Sequence, residues 1–302
     1  MRSTLIPTVW HRLAASLLLL AASAATILSA GAAEAHDAAS LRARYAELTP
    51  KLQNNQFQRP LYLNSTESSG SLTGDIFAVV DYPFAAVNTA FNGTSHWCDM
   101  LILHLNTKYC RASTDNGRDK LSVSIGKKHD QPLADAYQVA FDFKSAASTP
   151  DYLDVALRAA DGPMGTSDYK ILLEAVSIGD QRTFIHLTYS YAYGMAARIA
   201  MRAYLSTVGS SKVGFTRSGA DGASGDYLGG VRGVVERNTM RYYLAIDSYL
   251  SALDAPPAQQ LDRRLQNWFA ATERYARQLH EIDRNEYMEM KRSEYKRQQT
   301  AM

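Results

Sequence analysis

Between residues 137 and 193 apolar and polar positions alternate with period two. Tyr137, Val139, Phe141 and Phe143 interleave with Gln138, Ala140, Asp142 and Lys144, and Leu153, Val155 and Leu157 with Asp154, Ala156 and Arg158. Gly162-Pro163 turns the chain into a run at 169–178, and Gly179-Asp180 turns it again into 183–193. This pattern predicts an antiparallel meander with one apolar and one mixed face. The same alternation is read from Leu101 through Leu103 and Leu105. Runs at 109–113 and 121–125 flank Asn116-Gly117, a hairpin signal in a connection read as longer than two residues. Upstream, 61–66 and 72–80 surround Ser68-Ser69-Gly70-Ser71 and predict another hairpin.

Elsewhere the period is helical. Leu41, Tyr45, Leu48 and Leu52 mark a peripheral helix over 37–56. Pro83 opens a helix over 84–91, Asn92-Gly93 breaks it, and a second short helix runs through Trp97. A helix over 195–205, a short strand over 212–216 and a Gly/Ser-rich loop over 218–230 follow. A long helix then runs through Leu253, with Val235, Met240, Tyr243, Ile246, Tyr249, Leu250 and Leu253 as its apolar stripe. Pro256-Pro257 ends that element. One final helix is predicted from Leu261 to about Arg297, with Glu273–Arg277 and Arg277–Glu281 at pairing distance along it.

The N-terminus reads differently. Arg2, His11 and Arg12 precede an apolar run from Leu13 to Leu28, and small residues end in Ala33-Glu34-Ala35. These are the three parts of a cleavable secretion signal, and the apolar run is short for a membrane span. The expected organisation is a signal peptide at 1–35, a helical segment at 36–59, a main domain at 60–255 and a C-terminal helix at 256–302. The expected location is the periplasm or the extracellular space.

Charge adds little: 32 basic residues against 30 acidic ones give a net charge of +2. Nucleic acid, which demands a basic face, is not the expected partner. Cys98 and Cys110 are an even pair in an oxidising compartment, so a disulfide worth about 2–4 kcal/mol is expected, with two buried thiols as the alternative. No metal or other cofactor is expected, because His96 and Asp99 have no matching ligand cluster elsewhere.

The order is hairpin, two short helices, antiparallel meander and long helix, and it carries Gly74-Asp75-Ile76-Phe77-Ala78-Val79-Val80-Asp81-Tyr82-Pro83-Phe84 at the first strand-to-helix step. Over roughly residues 60–253 it resembles the helix-grip fold of START/SRPBCC domains. The resemblance implies an α+β architecture in which a curved antiparallel sheet of about seven strands grips a long C-terminal helix, with an extra C-terminal helix. It departs from that pattern at 195–216 and in the Pro-delimited C-terminal helix. The implied function is binding of a lipid or other apolar small molecule between sheet and helix. Tyr137, Val139, Phe141, Leu157, Tyr189, Tyr191, Tyr243 and Ile246 are the expected lining residues.

Each group with chemical potential also has a plain reading. Tyr152, Tyr169, Tyr193, Tyr242 and Tyr249, like the tyrosines above, suit an amphipathic guest but are also ordinary sheet and core-edge residues. His104 and His186 are expected mid-strand. His186 with Glu174 across adjacent strands makes either a general acid–base pair or a cross-strand ion pair on the outer face. Arg232 is spaced to pair with Glu236. Arg237 or Arg241 at a cavity mouth would meet an anionic head group, although solvated surface charge is the simpler account. No Gly-x-Ser-x-Gly elbow or P-loop is present, and Gly219–Gly230 reads as a flexible loop over the cavity mouth. The expectation is an exported, non-enzymatic carrier or sensor, with transient membrane contact left open. An enzyme of the same fold, cyclase- or hydrolase-like, and an interaction protein with a filled core are the alternatives. The protein recovered from an exporting host should begin at His36 by intact-mass measurement; a species retaining residues 1–35 would remove the signal-peptide reading.

Overall fold

Asn116 and Gly117 both adopt positive φ, 50° and 73°, and join two strands directly. The connection is therefore the tight two-residue turn for which Asn-Gly is suited, shorter than the sequence spacing implied. The computed structural model describes residues 36–207, 209–219 and 224–300. The predicted signal segment, 1–35, lies outside the described residues.

The described strands are β1 (Leu61–Ser68), β2 (Ser71–Val80), β3 (Thr107–Asp115), β4 (Arg118–Ile125), β5 (Tyr137–Ser148), β6 (Tyr152–Asp161), β7 (Thr166–Ser177) and β8 (Thr183–Tyr193). They form one open antiparallel sheet of eight strands in the order β1-β2-β8-β7-β6-β5-β4-β3. The runs read at 109–113 and 121–125 are β3 and β4, and β3 begins at Thr107. Leu101 to Leu105 is no strand; it is the end of α3 (Trp97–Leu101) and the turns after it. All five of its side chains are buried, since the C-terminal helices cover the side that alternation would have left in water.

Helices flank both faces. On the outer face lies α1 (Ala38–Gln53), capped by Asp37, whose carboxylate accepts from the Ser40 N–H at 2.7 Å. Leu41, Leu48 and Leu52 pack there against Phe77, Val79, Tyr152, Val176 and Phe184. The inner face carries Leu72, Ile76, Leu153, Val155, Leu157, Ile171, Leu173, Ile185 and Leu187 and receives α5 (Gly230–Leu250). Between strands and α5 come α2 (Phe84–Phe91) before α3, and α4 (Met195–Ser206) after β8. Residues 212–216 form no strand; only an isolated bridge, Arg217 to Tyr227, survives nearby.

Two contacts fix α5. Gly74 of β2 lies so close to it that a Cβ would strike the Thr239 hydroxyl. Glu236, with no exposed surface, accepts from Ser65 Oγ at 2.6 Å and from the Phe215 and Thr216 amides at 2.6 and 2.9 Å. The predicted Arg232–Glu236 pair is not direct: Arg232 donates to Ser65 Oγ and to its carbonyl, so the serine stands between them.

The single C-terminal helix is three: α6 (Pro257–Glu273), α7 (Ala276–Leu279) and α8 (Arg284–Thr300). Pro257 sits in the first turn of α6 and begins it. With the helix broken after Glu273, Arg277 lies over the Tyr227 ring, and Glu281 joins the cations described below. A fully buried group docks α8. Lys108 and Lys291 both reach Glu294, at 3.0 and 2.6 Å, and Lys291 also donates to the His104 and Thr107 carbonyls. The Cys98–Cys110 disulfide forms as expected and ties α3 to β3.

Replacing Gly74 by Ala should cost about 1–3 kcal/mol by overpacking. Thr239→Ala should restore part of that loss in the double variant, read from urea unfolding. Additive losses would mean the close approach does not set the position of α5.

Candidate functional site

Five residues of α5 recur along one stripe: Val234, Arg237, Asn238, Arg241 and Tyr242. They form one wall of a cleft of about 390 Å³. Tyr169 of β7 with Tyr189 and Tyr191 of β8 form the facing wall. Ala197, Ala200 and Met201 of α4 cover it, with Pro163 and Met164 of the β6–β7 turn, and His104, Asn106, Ile125 and Lys128 close one end. A larger cleft of about 610 Å³ around Gln56, Arg59, Arg274 and Arg277 contains no residue of the sheet or of α5. It is more polar, so the sheet–helix cleft is the better candidate for an apolar guest.

The aromatic wall is continuous. Tyr169 stacks on Tyr191 with centroids 5.3 Å apart, Tyr191 lies 5.6 Å from Tyr189, and Tyr189 lies 5.1 Å from Tyr242. The His104 ring stacks on Tyr242 at 4.8 Å. Burial raises the pKa of Tyr169, Tyr189, Tyr191 and Tyr242, so their hydroxyls remain neutral donors and acceptors across the ordinary pH range.

The other end is cationic. Lys128, Arg237 and Arg241 line the cleft, and no carboxylate among the described residues does. Glu281 lies behind them, 2.6 Å from Lys128, 2.8 Å from Arg241 and 3.3 Å from Lys212. Burial, helped by the nearby Arg241 and resisted by Glu281, lowers Lys128 to about 8. Burial opposes ionisation of Glu281, but Arg241, Lys128 and Lys212 outweigh it and hold its pKa down. His104 is pushed well below the ordinary histidine range by burial first, then by Arg241, Lys291, Lys128 and Lys108. Its Nδ1 accepts from the Asn106 N–H at 3.1 Å, which places the proton of the neutral ring on Nε2. That Nε2 is buried without a partner among the described residues.

Of the residues expected to line the cavity, Tyr189 and Tyr191 do so. Val139, Phe141, Leu157, Tyr243 and Ile246 are buried in the close-packed part of the core. Tyr137, at the start of β5, is 42% exposed. Arg237 and Arg241 are not solvated surface charge: each is 2% exposed. Lys128 and Asn106 were not among the expected lining residues: Lys128 lies between predicted strands, where lysine reads as a loop residue, and Asn106 read only as a polar position of the alternation from Leu101.

His186 and Glu174 do meet, on the outer face. They are directly paired across β7 and β8, with His186 Nδ1 at 3.1 Å from Glu174 and Nε2 at 3.0 Å from Asp75 of β2. Tyr152 donates to Glu174 at 2.6 Å, and the imidazole stacks on Phe77 at 4.1 Å. Burial disfavours the imidazolium, but hydrogen bonds to Asp75 and Glu174 overcome it and raise the pKa to about 9. Burial likewise opposes Glu174, and His186 and Tyr152 lower it on balance. A histidine held protonated between two carboxylates is an ion-pair bridge and a poor general base.

No protein-family profile and no curated protein matches the sequence. Among solved structures, the chain is similar to a conserved protein from Geobacillus kaustophilus, at 10% identity and TM-score 0.35 over 59% of this chain and 95% of that one. A conserved protein of unknown function from Enterococcus faecalis matches at 7% identity and TM-score 0.34, over 74% and 97%. Norcoclaurine synthase from Thalictrum flavum, in complex with dopamine and hydroxybenzaldehyde, matches at 14% identity and TM-score 0.31, over 46% and 83%. Overlaps this loose transfer no ligand and no residue role.

The outer network should be proton-linked. His186 has a raised folded pKa, so its stabilisation is complete below about 6.5 and is lost as pH rises through about 9. Glu174 has a lowered one, so its share is lost as pH falls below its ordinary value of 4.5. His186→Gln should therefore cost on the order of 2 kcal/mol near pH 6, and the difference should shrink toward pH 9.5. A constant difference between pH 6 and 9.5 in urea melts would show that the charge contributes nothing.

Proposed function

We propose that the chain is an exported carrier or sensor that binds a lipid-like or other apolar small molecule in the cleft between β7–β8 and α5. One observation carries this reading: the tyrosines of β7 and β8, which meet α5 where Tyr189 lies against Tyr242, line an open space of about 390 Å³ under α4. Space of that size, mostly apolar with a few placed polar groups, suits a drug-sized guest. Had the core been filled, the chain would read as an interaction protein.

The acid–base pair expected for the enzyme reading does not serve the cleft. The acid–base pair of His186 and Glu174 faces away from it, on the α1 side of the sheet. Met164, Met195 and Ile199, each more than 60% exposed, lie on the turn and helix that cover the cleft. Apolar side chains there suit transient contact with a membrane from which such a guest would be drawn.

Native mass spectrometry of the gently purified protein should show a small-molecule adduct that is released on unfolding. Ala200→Trp, which fills the cleft from α4, should abolish the adduct while leaving the melting temperature within a few degrees. A protein that is adduct-free and takes up no N-phenyl-1-naphthylamine, a neutral apolar probe, would defeat the proposal.

A further inference from the structure

We infer that the cleft is built for an organic anion: an apolar body laid along Tyr169, Tyr189 and Tyr191, with a carboxylate-like head at the Lys128–Arg237–Arg241 end. This rests on the cleft being a binding site and goes on to name the chemical class of its occupant.

The polarity of the cleft is one-sided. Its wall at β7 and β8 is tyrosine, its cover on α4 is alanine and methionine, and its charged lining groups among the described residues are three cations. The described carboxylates nearest that end, Glu281, Glu236 and Glu294, are already engaged. Glu281 is shared by Lys128, Arg241 and Lys212. Glu236, on the same helix, is held by Ser65 and the amides of Phe215 and Thr216. Glu294 is divided between Lys108 and Lys291.

His104 supplies a second, independent sign. It is 3% exposed, it lines the same end of the cleft, and its Nε2 has no partner among the described residues. A buried donor left unmade costs about 1–3 kcal/mol, and an incoming oxygen would satisfy it. A neutral carbonyl could accept from His104 alone. Only an anion also gains from the cations beside it, through charge-assisted hydrogen bonds in a site largely removed from water. A cationic guest would meet like charge, with no lining carboxylate among the described residues to receive it.

The test uses two probes with the same arylamine body, the anionic 1-anilinonaphthalene-8-sulfonate and the neutral N-phenyl-1-naphthylamine, on the full exported protein. The anionic probe should bind about tenfold tighter or better. Lys128→Met should remove most of that advantage and leave the neutral probe within about twofold, since Glu281 keeps Arg241 and Lys212 as partners. Lys127→Met, an exposed neighbour, should change neither. A second comparison needs no variant: decanoate should displace the neutral probe at about a tenth of the concentration that decanol requires. Equal displacement by acid and alcohol, or equal loss of both probes in Lys128→Met, overturns the anion assignment and leaves the cleft itself standing. Failure of both probes to bind wild-type protein overturns the cleft reading as well.

Discussion

A buried carboxylate decides where the long helix lies. Glu236 accepts hydrogen bonds from β1, through Ser65, and from the 215–216 backbone, and it has no contact with water to fall back on. A buried charge is tolerable only when its hydrogen bonds are complete, so the helix cannot slide or rotate without exposing an unmet anion to the core. Gly74 closes the same contact from β2 by letting the Thr239 side chain approach the strand backbone. Held against β1 and β2, the helix turns Val234, Arg237, Asn238, Arg241 and Tyr242 toward β7 and β8. There the wall is tyrosine, and the gap stays open.

The sheet separates two kinds of buried charge. On the cleft side the lining groups are cationic, and the nearest carboxylate is shared behind them. On the outer side His186 bridges Asp75 and Glu174 under α1 and stacks on Phe77. The outer group joins three neighbouring strands through their side chains, β2 to β8 to β7, and so adds to the sheet what a cross-strand pair adds to two strands. Its chemistry is spent on structure. On the cleft side the His104 Nε2 donor has no acceptor among the described residues, which is a bond that a ligand could complete.

The C-terminal helices complete the core at the other end of the chain. α8 brings Glu294 to Lys108 and Lys291, and the Tyr287 hydroxyl donates to the Leu103 carbonyl. Trp268 of α6 donates to the Arg241 carbonyl on α5. The disulfide, about 3 kcal/mol by loop-closure entropy, holds α3 and β3 where α8 reaches them. These helices are therefore part of the wall that buries Leu101 to Leu105 and His104, and the cleft end depends on them.

Local pattern was enough for the α+β class, the β5–β8 meander, the β1–β2 hairpin, α1, α2 and α5, because strand and helix periods are written in neighbouring residues. It was also enough for the disulfide, since the two cysteines are an even pair close in sequence. Where two elements far apart in sequence meet, pattern failed. Leu101, Leu103 and Leu105 alternate like a strand yet are buried on all sides, because α8 arrives from the end of the chain. The apolar stripe of α5 was legible and packs the core from Val235 to Leu250, while Leu253 lies past the helix end and is exposed; the stripe that forms the cleft is partly charged, and charge at helical spacing reads as a solvent face. Tyr189 and Tyr191 lie on the cleft, since their strand parity points inward. Tertiary structure alone decided that Arg237 and Arg241 are interior, that Lys128 and His104 join them, and that His186 with Glu174 belongs to the other face: each depends on which surface covers a residue, a property no local window of sequence contains.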